Sequence, residues 1–253
     1  MRGDVVLKVQ NLSVAYGDFV LSRNVSFSVA KGDVFVIMGG SGCGKSSMLK
    51  VLTGLMPPAA GSVFLKGVDF WRSDEETRRL LMRRAGILYQ SGALWTSMTL
   101  SENVALPLRQ YTDLNDADID EIVRLKLSLV GLAGFEDFYP SQISGGMKKR
   151  AGLARALALD PEIVFFDEPS AGLDPISAKL LDDLILQIKD GSDTALVVVT
   201  HELSSIFAIA TNAVFLDADT KTALAYGAPK DMMRRPENDK VRLFLTRDGT
   251  FAV

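Results

Sequence analysis

The chain has 253 residues, with 28 lysines and arginines against 31 acids, one cysteine and one histidine. That length holds one large or two small domains, and 47% apolar with 23% charged residues excludes disorder and fibrous repeats. Cys43 and His201, each alone of its kind, exclude an intrachain disulfide and a Cys/His zinc site, and a net charge of −3 leaves no basic footprint for nucleic acid.

Met1–Lys8 holds no apolar stretch of signal-peptide length. Val5–Val9 and Phe19–Val29 read as strands, the second alternating apolar and polar from Val25 onward. Val34–Met38 is apolar throughout, as a strand covered on both faces would be. A glycine-rich turn and a helix over Lys45–Leu55 follow, the helix with Met48, Leu49, Leu52 and Leu55 on one face. From Thr96 to Asp160 the buried-strand signal disappears. That region reads as helices with caps or breaks at Ser101, Asp113–Asn115, Gly131–Gly134 and Pro140-Ser141, inserted into the α/β core. Ile163–Phe166 and Leu196–Val199 are two more buried strands. Between them lies a helix that starts at Asp174-Pro175 and has Leu180, Leu181, Leu184, Ile185 and Ile188 as its apolar face. Strand, helix, strand implies a right-handed crossover and a parallel sheet. Ala213–Leu216 is a further strand, and a polar stretch closes the chain. The apolar runs Val34–Met38, Ala195–Val199 and Ile206–Ala210 fall far short of the ~20 residues a membrane span needs, so any membrane role is expected to come through a partner chain.

Two motifs carry chemistry. Gly39-Gly40-Ser41-Gly42-Cys43-Gly44-Lys45-Ser46 matches G-x-x-x-x-G-K-[ST] after a buried strand and ahead of a helix. Glycines let successive backbone N–H groups curl around phosphate oxygens, and the helix N-terminus adds a favourable dipole. Lys45 is placed for the β- and γ-phosphates and the Ser46 hydroxyl for Mg²⁺. Ser47 extends the ATP-binding set. The strand Ile163–Phe166 then delivers two adjacent acids. Strand neighbours point to opposite faces, so Asp167 is expected in the Mg²⁺ shell and Glu168 as the general base for water. Alone, Asp-Glu-Pro reads as a turn. Beside a phosphate loop the catalytic reading prevails.

With those motifs in place, the chain from about Val5 to Arg235 resembles the nucleotide-binding subunit of an ABC transporter. Ser144-Gly145-Gly146-Met147 is similar to the ABC signature, usually Ser-Gly-Gly-Gln, and runs into a helix over Lys148–Leu159. Gln90 falls where the Q-loop glutamine follows a strand, here Gly86–Tyr89. Ser170–Asp174 resembles the D-loop, His201 the switch histidine, and Tyr16 the adenine-stacking aromatic. The resemblance implies an α/β P-loop NTPase fold, with a RecA-like core and mostly parallel sheet, an antiparallel β subdomain and an inserted helical subdomain. The domain is expected over residues 1–235, with the helical part at about 91–160 and a short tail at 236–253.

The same resemblance implies ATP hydrolysis with Mg²⁺ held by Ser46, Gln90 and Asp167, and catalytic roles for Lys45, Gln90, Glu168 and His201. Ser144, Gly145, Gly146 and Met147 would act in trans on ATP held by a second copy, in a head-to-tail homodimer, and Asp174 would belong to the D-loop. Cys43 is given no catalytic role, but its alkylation is expected to block nucleotide.

Within the family, Gln90–Leu108, Gly146–Arg150, Leu127–Leu132 and Lys240–Leu245 resemble Mla/Mce-type phospholipid transport ATPases. That subgroup implies an MlaE-like integral-membrane permease, an MCE-domain substrate-binding protein and a small STAS-type regulator as partners, at the cytoplasmic face of the inner membrane. Leu94, Trp95 and Met98 read equally as permease-docking surface or helical core. The alternatives are an importer ATPase for another small solute, a soluble ABC ATPase acting on nucleic acid or translation, and a nucleotide-sensing module without turnover.

Overall fold

The computed structural model describes residues 4–234 and 238–246. Met1–Gly3 and the boundary expected at 235/236 lie outside the described residues. In chain order the elements are β1 (Val5–Tyr16), β2 (Phe19–Ala30), β3 (Val34–Gly39), α1 (Lys45–Leu52), β4 (Ala60–Leu65), β5 (Val68–Asp69), α2 (Glu75–Met82), β6 (Ala85–Leu88), α3 (Leu100–Tyr111), α4 (Asp116–Leu129), α5 (Gly145–Ala156), β7 (Ile163–Asp167), α6 (Pro175–Gly191), β8 (Ala195–Val199), α7 (Leu203–Ile209), β9 (Asn212–Asp217), β10 (Thr222–Gly227), α8 (Pro229–Arg234) and α9 (Asp239–Thr246).

Two sheets result. One is antiparallel in the order β2-β1-β4-β5, and the other has the order β10-β9-β3-β8-β7-β6. In the second, β9, β3, β8, β7 and β6 run parallel and only β10 is antiparallel. The all-apolar strands are its centre, with every residue of β3 and β8 buried. Their alternation serves two cores. Val34, Val36 and Met38 pack with the helices, whereas Phe35 and Ile37 pack toward α1 and the antiparallel sheet. Parallel register aligns Ile37 with Val199 and Asp167 with Val199, so β3, β7 and β8 end together. The phosphate loop, the two acids and His201 leave the sheet at that common edge, where open α/β sheets bind ligands.

Several elements differ from their sequence reading. β1 continues from Val9 to Tyr16 because Asn11 takes a left-handed conformation (φ 47°) and the register shifts between Val9 and Leu12, resuming the buried alternation at Leu12 and Val14. β4, β5 and α2 occupy a stretch in which the sequence reading placed no element; α2 is capped by Asp74, whose carboxylate accepts from the Thr77 N–H at 2.7 Å. α1 ends at Leu52, and Leu55 is exposed. α3 is capped by Thr99, not Ser101, through a reciprocal box with Glu102. α5 begins at Gly145 and ends at Ala156, earlier at both ends than expected. On α6, Leu180 is 49% exposed, and the buried face instead includes Asp182, which accepts from Ser205 Oγ at 2.9 Å. The supposed polar closing stretch folds as β10, α8 and α9, with Val241 and Leu245 buried. Among the described residues no helix is long and apolar enough to cross a membrane.

Candidate functional site

A cleft of about 610 Å³ opens over the shared strand edge, lined by the loop from Gly39 to Ser47 together with Gln90, Glu168 and His201. Three loop glycines are left-handed, Gly39 (φ 148°), Gly42 (φ 77°) and Gly44 (φ 93°), and a Cβ on Gly39 would run into the Leu216 carbonyl. Gly44 is the N-cap of α1 and supplies no side chain, so the first-turn N–H groups stay free for an anion. Lys45 is 9% exposed, and its Nζ donates to the carbonyls of Gly39 (3.0 Å) and Gly40 (2.9 Å). Among the described residues no carboxylate lies within ion-pair distance of it. Its charge is therefore available to a ligand.

The two acids behind the loop diverge, as strand neighbours must. Asp167 turns to α1, where its Oδ1 accepts from Ser46 Oγ at 3.4 Å. Burial raises its pKa above the usual carboxylate value, against the lowering effect of the Ser46 hydroxyl. Glu168 turns to β8, with both carboxylate oxygens 3.0 Å from His201 Nδ1. Its φ of 46° is a strained conformation for a side-chain-bearing residue, held by the Glu168 N–H donating to the Val199 carbonyl at 2.9 Å. His201 is 55% exposed at its side chain, so the imidazole stands between the carboxylate and the open cleft. Gln90 follows β6, the strand next to β7, and lines the same cleft.

Tyr16 ends β1 beside the cleft, half exposed, and its hydroxyl accepts from Ser47 Oγ at 3.4 Å. That hydrogen bond lowers the phenol's pKa. Cys43 departs from expectation. Its thiol is fully buried among core residues such as Met48, and burial pushes its pKa up, so only the Cys43 backbone can serve a phosphate. Contrary to the expectation from sequence, the folded chain therefore offers no thiol whose alkylation would block nucleotide. A maleimide should label Cys43 in the folded chain at least ~100-fold more slowly than in the denatured chain, because the reactive thiolate is both scarce and covered. Intact-mass spectrometry follows the rate, and prompt labelling of the folded chain would contradict this placement.

Ser144, Gly145, Gly146 and Met147 do not line the cleft. They form the start of α5, with Ser144 and Gly145 exposed, Gly146 half-buried and Met147 packed against the helical core, and Ser144 Oγ accepts from the Met147 N–H at 3.2 Å. Gly146 abuts Ser177, and a Cβ there would lie 3.2 Å from its Oγ. Asp174 is spent on the same neighbourhood: it caps α6 by accepting from the N–H groups of Ile176 and Ser177 (both 3.0 Å) and from Ser177 Oγ (2.6 Å). The chain thus presents two separate helix N-termini, one inside the cleft and one outside it.

Two residues at or behind the cleft were given no role of their own by the sequence. Phe244 of α9 lines the cleft and packs edge-on against Phe215, centroids 5.1 Å apart. The helical spacing of Val241 and Leu245 was the available signal. Lys149 is buried beneath the turn that follows Glu168, and nothing in a Lys-Lys-Arg run distinguishes a buried lysine from a solvated one.

A family model described as ABC transporter matches residues 22–171. The chain is 38% identical over 241 residues to a probable ribonucleotide transport ATP-binding protein of Mycobacterium leprae, covering 95% of this chain and 69% of that one. It is 38% identical over 229 residues to the intermembrane phospholipid transport system ATP-binding protein MlaF of Haemophilus influenzae, covering 90% and 86%. It is 36% identical over 240 residues to MlaF of Escherichia coli K12, covering 95% and 88%. Among solved structures, cbiO1 from Clostridium perfringens, part of the transporter complex cbiONQ, superposes with a TM-score of 0.83 at 24% identity over 98% of each chain. The dimeric ATP-binding cassette MJ0796, bound to ADP and Pi, superposes with a TM-score of 0.79 at 26% identity over 88% of this chain and 98% of that one.

Proposed function

The chain belongs to the ABC transporter family as an ATP-binding subunit, and from that premise we propose that it hydrolyses ATP to drive phospholipid transfer through a separate membrane permease. The observation that carries the ATPase reading is the Glu168–His201 pair facing the phosphate loop across one cleft. On this reading the free N–H groups of the loop and of α1 cradle the phosphates, and Lys45 Nζ turns from its two carbonyls to the β- and γ-oxygens. Glu168 accepts the proton of the attacking water, and His201, held through Nδ1, offers Nε2 toward the γ-phosphate. Ser46, Asp167 and Gln90 are a hard oxygen set that suits Mg²⁺, which takes few protein ligands beside phosphates and waters and, when bound, neutralises phosphate charge. Tyr16 stacks on the base.

The outward placement of Ser144–Met147 supports a split site. The start of α5, with its Gly145 and Gly146 N–H groups, would meet ATP held by a second copy, while Asp174 keeps the start of α6 against Gly146. A shallow groove of about 350 Å³ supports permease docking. Trp95, 58% exposed, and Tyr111 offer apolar surface there beside Arg79, Arg83 and Arg155. Of the other residues read for docking, Leu94 packs against the helical core. A short permease helix with an acidic side chain fits that surface at the cytoplasmic side. An MlaE-like permease, an MCE-domain protein and a STAS-type regulator are the partners this reading brings with it.

Phospholipid is preferred as cargo because the MlaF proteins are matched over 86–88% of their length, against 69% for the mycobacterial relative named for ribonucleotides. Affinity purification from detergent-solubilised membranes tests the reading. It should recover an integral-membrane permease with bound phospholipid. A permease whose ATPase responds to ribonucleotide, with no lipid bound, would overturn the cargo, and recovery of no membrane protein would overturn the transporter role.

A further inference from the structure

Lys149 lies one turn into α5, the helix capped by Ser144, and is 5% exposed. Its ammonium donates to the backbone carbonyls of Pro169 (2.7 Å) and Ala171. No carboxylate pairs with it among the described residues. Burial lowers its pKa from the usual lysine value, and the nearby Glu168 charge works the other way.

A buried ammonium without a counter-ion is an expensive way to hold a helix in place; an apolar side chain of the same length would pack as well or better. What the ammonium alone supplies is two donors aimed at one short turn. That turn follows Glu168 directly and closes tightly, the Ala171 N–H donating to the Glu168 carbonyl at 3.2 Å and the Leu173 N–H to the Ser170 carbonyl at 3.1 Å. Ala171 itself lines the cleft. Glu168 needs such a clamp, because its left-handed backbone is not a conformation the residue would keep by itself.

We propose that Lys149 is a positioning residue that ties α5 to the Pro169–Ala171 turn, so that Glu168 stands in its working position only when α5 is seated. The inference rests on the ATPase reading above. It gives the two halves of the split site a direct link within one chain: the helix whose start faces the partner's nucleotide also holds the turn behind its own chain's general base.

Full-length chains with Lys149→Met, Lys149→Gln and Lys149→Arg test this against the native chain, by steady-state ATP turnover. Lys149→Met keeps the apolar stem and should lower kcat by about 10–100-fold, the scale on which supporting residues and small misplacements act. KM for ATP should stay within ~2-fold, since the phosphate loop is untouched. Lys149→Arg, with several donors, should recover most of the rate, and Lys149→Gln, with a single amide, much less. In the Glu168→Gln background, Lys149→Met should leave ATP-driven dimer formation intact, an outcome that a general loosening of α5 would not give.

Native kcat in the folded Met variant would overturn the proposal. So would parallel loss of kcat, ATP affinity and dimer formation. If the Met variant does not fold, the Gln and Arg variants decide, and equal rates in the two would overturn it. A native chain that does not hydrolyse ATP would instead overturn the ATPase reading.

Discussion

Glu168→Gln should stop ATP turnover while leaving ATP binding intact, a loss of about 10²–10⁴-fold in kcat as expected for removing a general base. In barrier terms that is about 3–5 kcal/mol. The amide is isosteric and still offers one oxygen to His201 Nδ1, which now stands 3.0 Å from both carboxylate oxygens. What it loses is the ability to accept a proton from water. The residue's φ of 46° is a property of the backbone and is unchanged by the substitution, so the loop and the cleft keep their shape. Phosphate release measured beside ATP binding separates the two effects. With chemistry blocked, the nucleotide should hold two chains together. Turnover within ~3-fold of native would remove Glu168 from the general-base role.

Lys45→Ala should act earlier, on binding. The ammonium is almost wholly buried at the cleft wall, where it donates to the Gly39 and Gly40 carbonyls and lies 3.9 Å from the Cys43 sulfur. Truncating a desolvated charge that meets phosphate oxygens costs about 2–5 kcal/mol, so Kd for ATP should rise by about 30-fold or more. The alanine also leaves two loop carbonyls without their donor, so part of the loss comes from a loop that no longer holds its curl. Titration with a fluorescent ATP analogue reads this directly. Native affinity in that variant would mean that the loop does not cradle the phosphates.

The parts of this site that could be read from sequence are those whose physics is local. β3, β7 and β8 appear as unbroken apolar runs because both of their faces are covered, and the glycine loop and paired acids sit at their ends. The second half of β1 was hidden by a single left-handed asparagine that breaks the alternation. Cys43 and Leu180 were misjudged in opposite directions, because the direction of a side chain depends on what packs against the loop or helix, and pattern alone does not carry that. Lys149 and Phe244 were invisible for a related reason. Their partners, Pro169 and Phe215, lie far off along the chain and become neighbours only once the sheet and its helices have assembled.

On the proposed reading one chain holds only half of each working site: the loop lies inside the cleft, and the start of α5 lies outside it, where it would meet a second copy. Sedimentation of the Glu168→Gln chain in saturating ATP and Mg²⁺, with and without an added Ser144→Arg, tests it most directly. The bulky cation sits at an exposed helix cap that does not line its own chain's cleft, so ATP binding to each chain should survive. The single variant should sediment as a dimer and the double variant as an ATP-bound monomer. A dimer in both, or loss of ATP binding by the double variant, would contradict it.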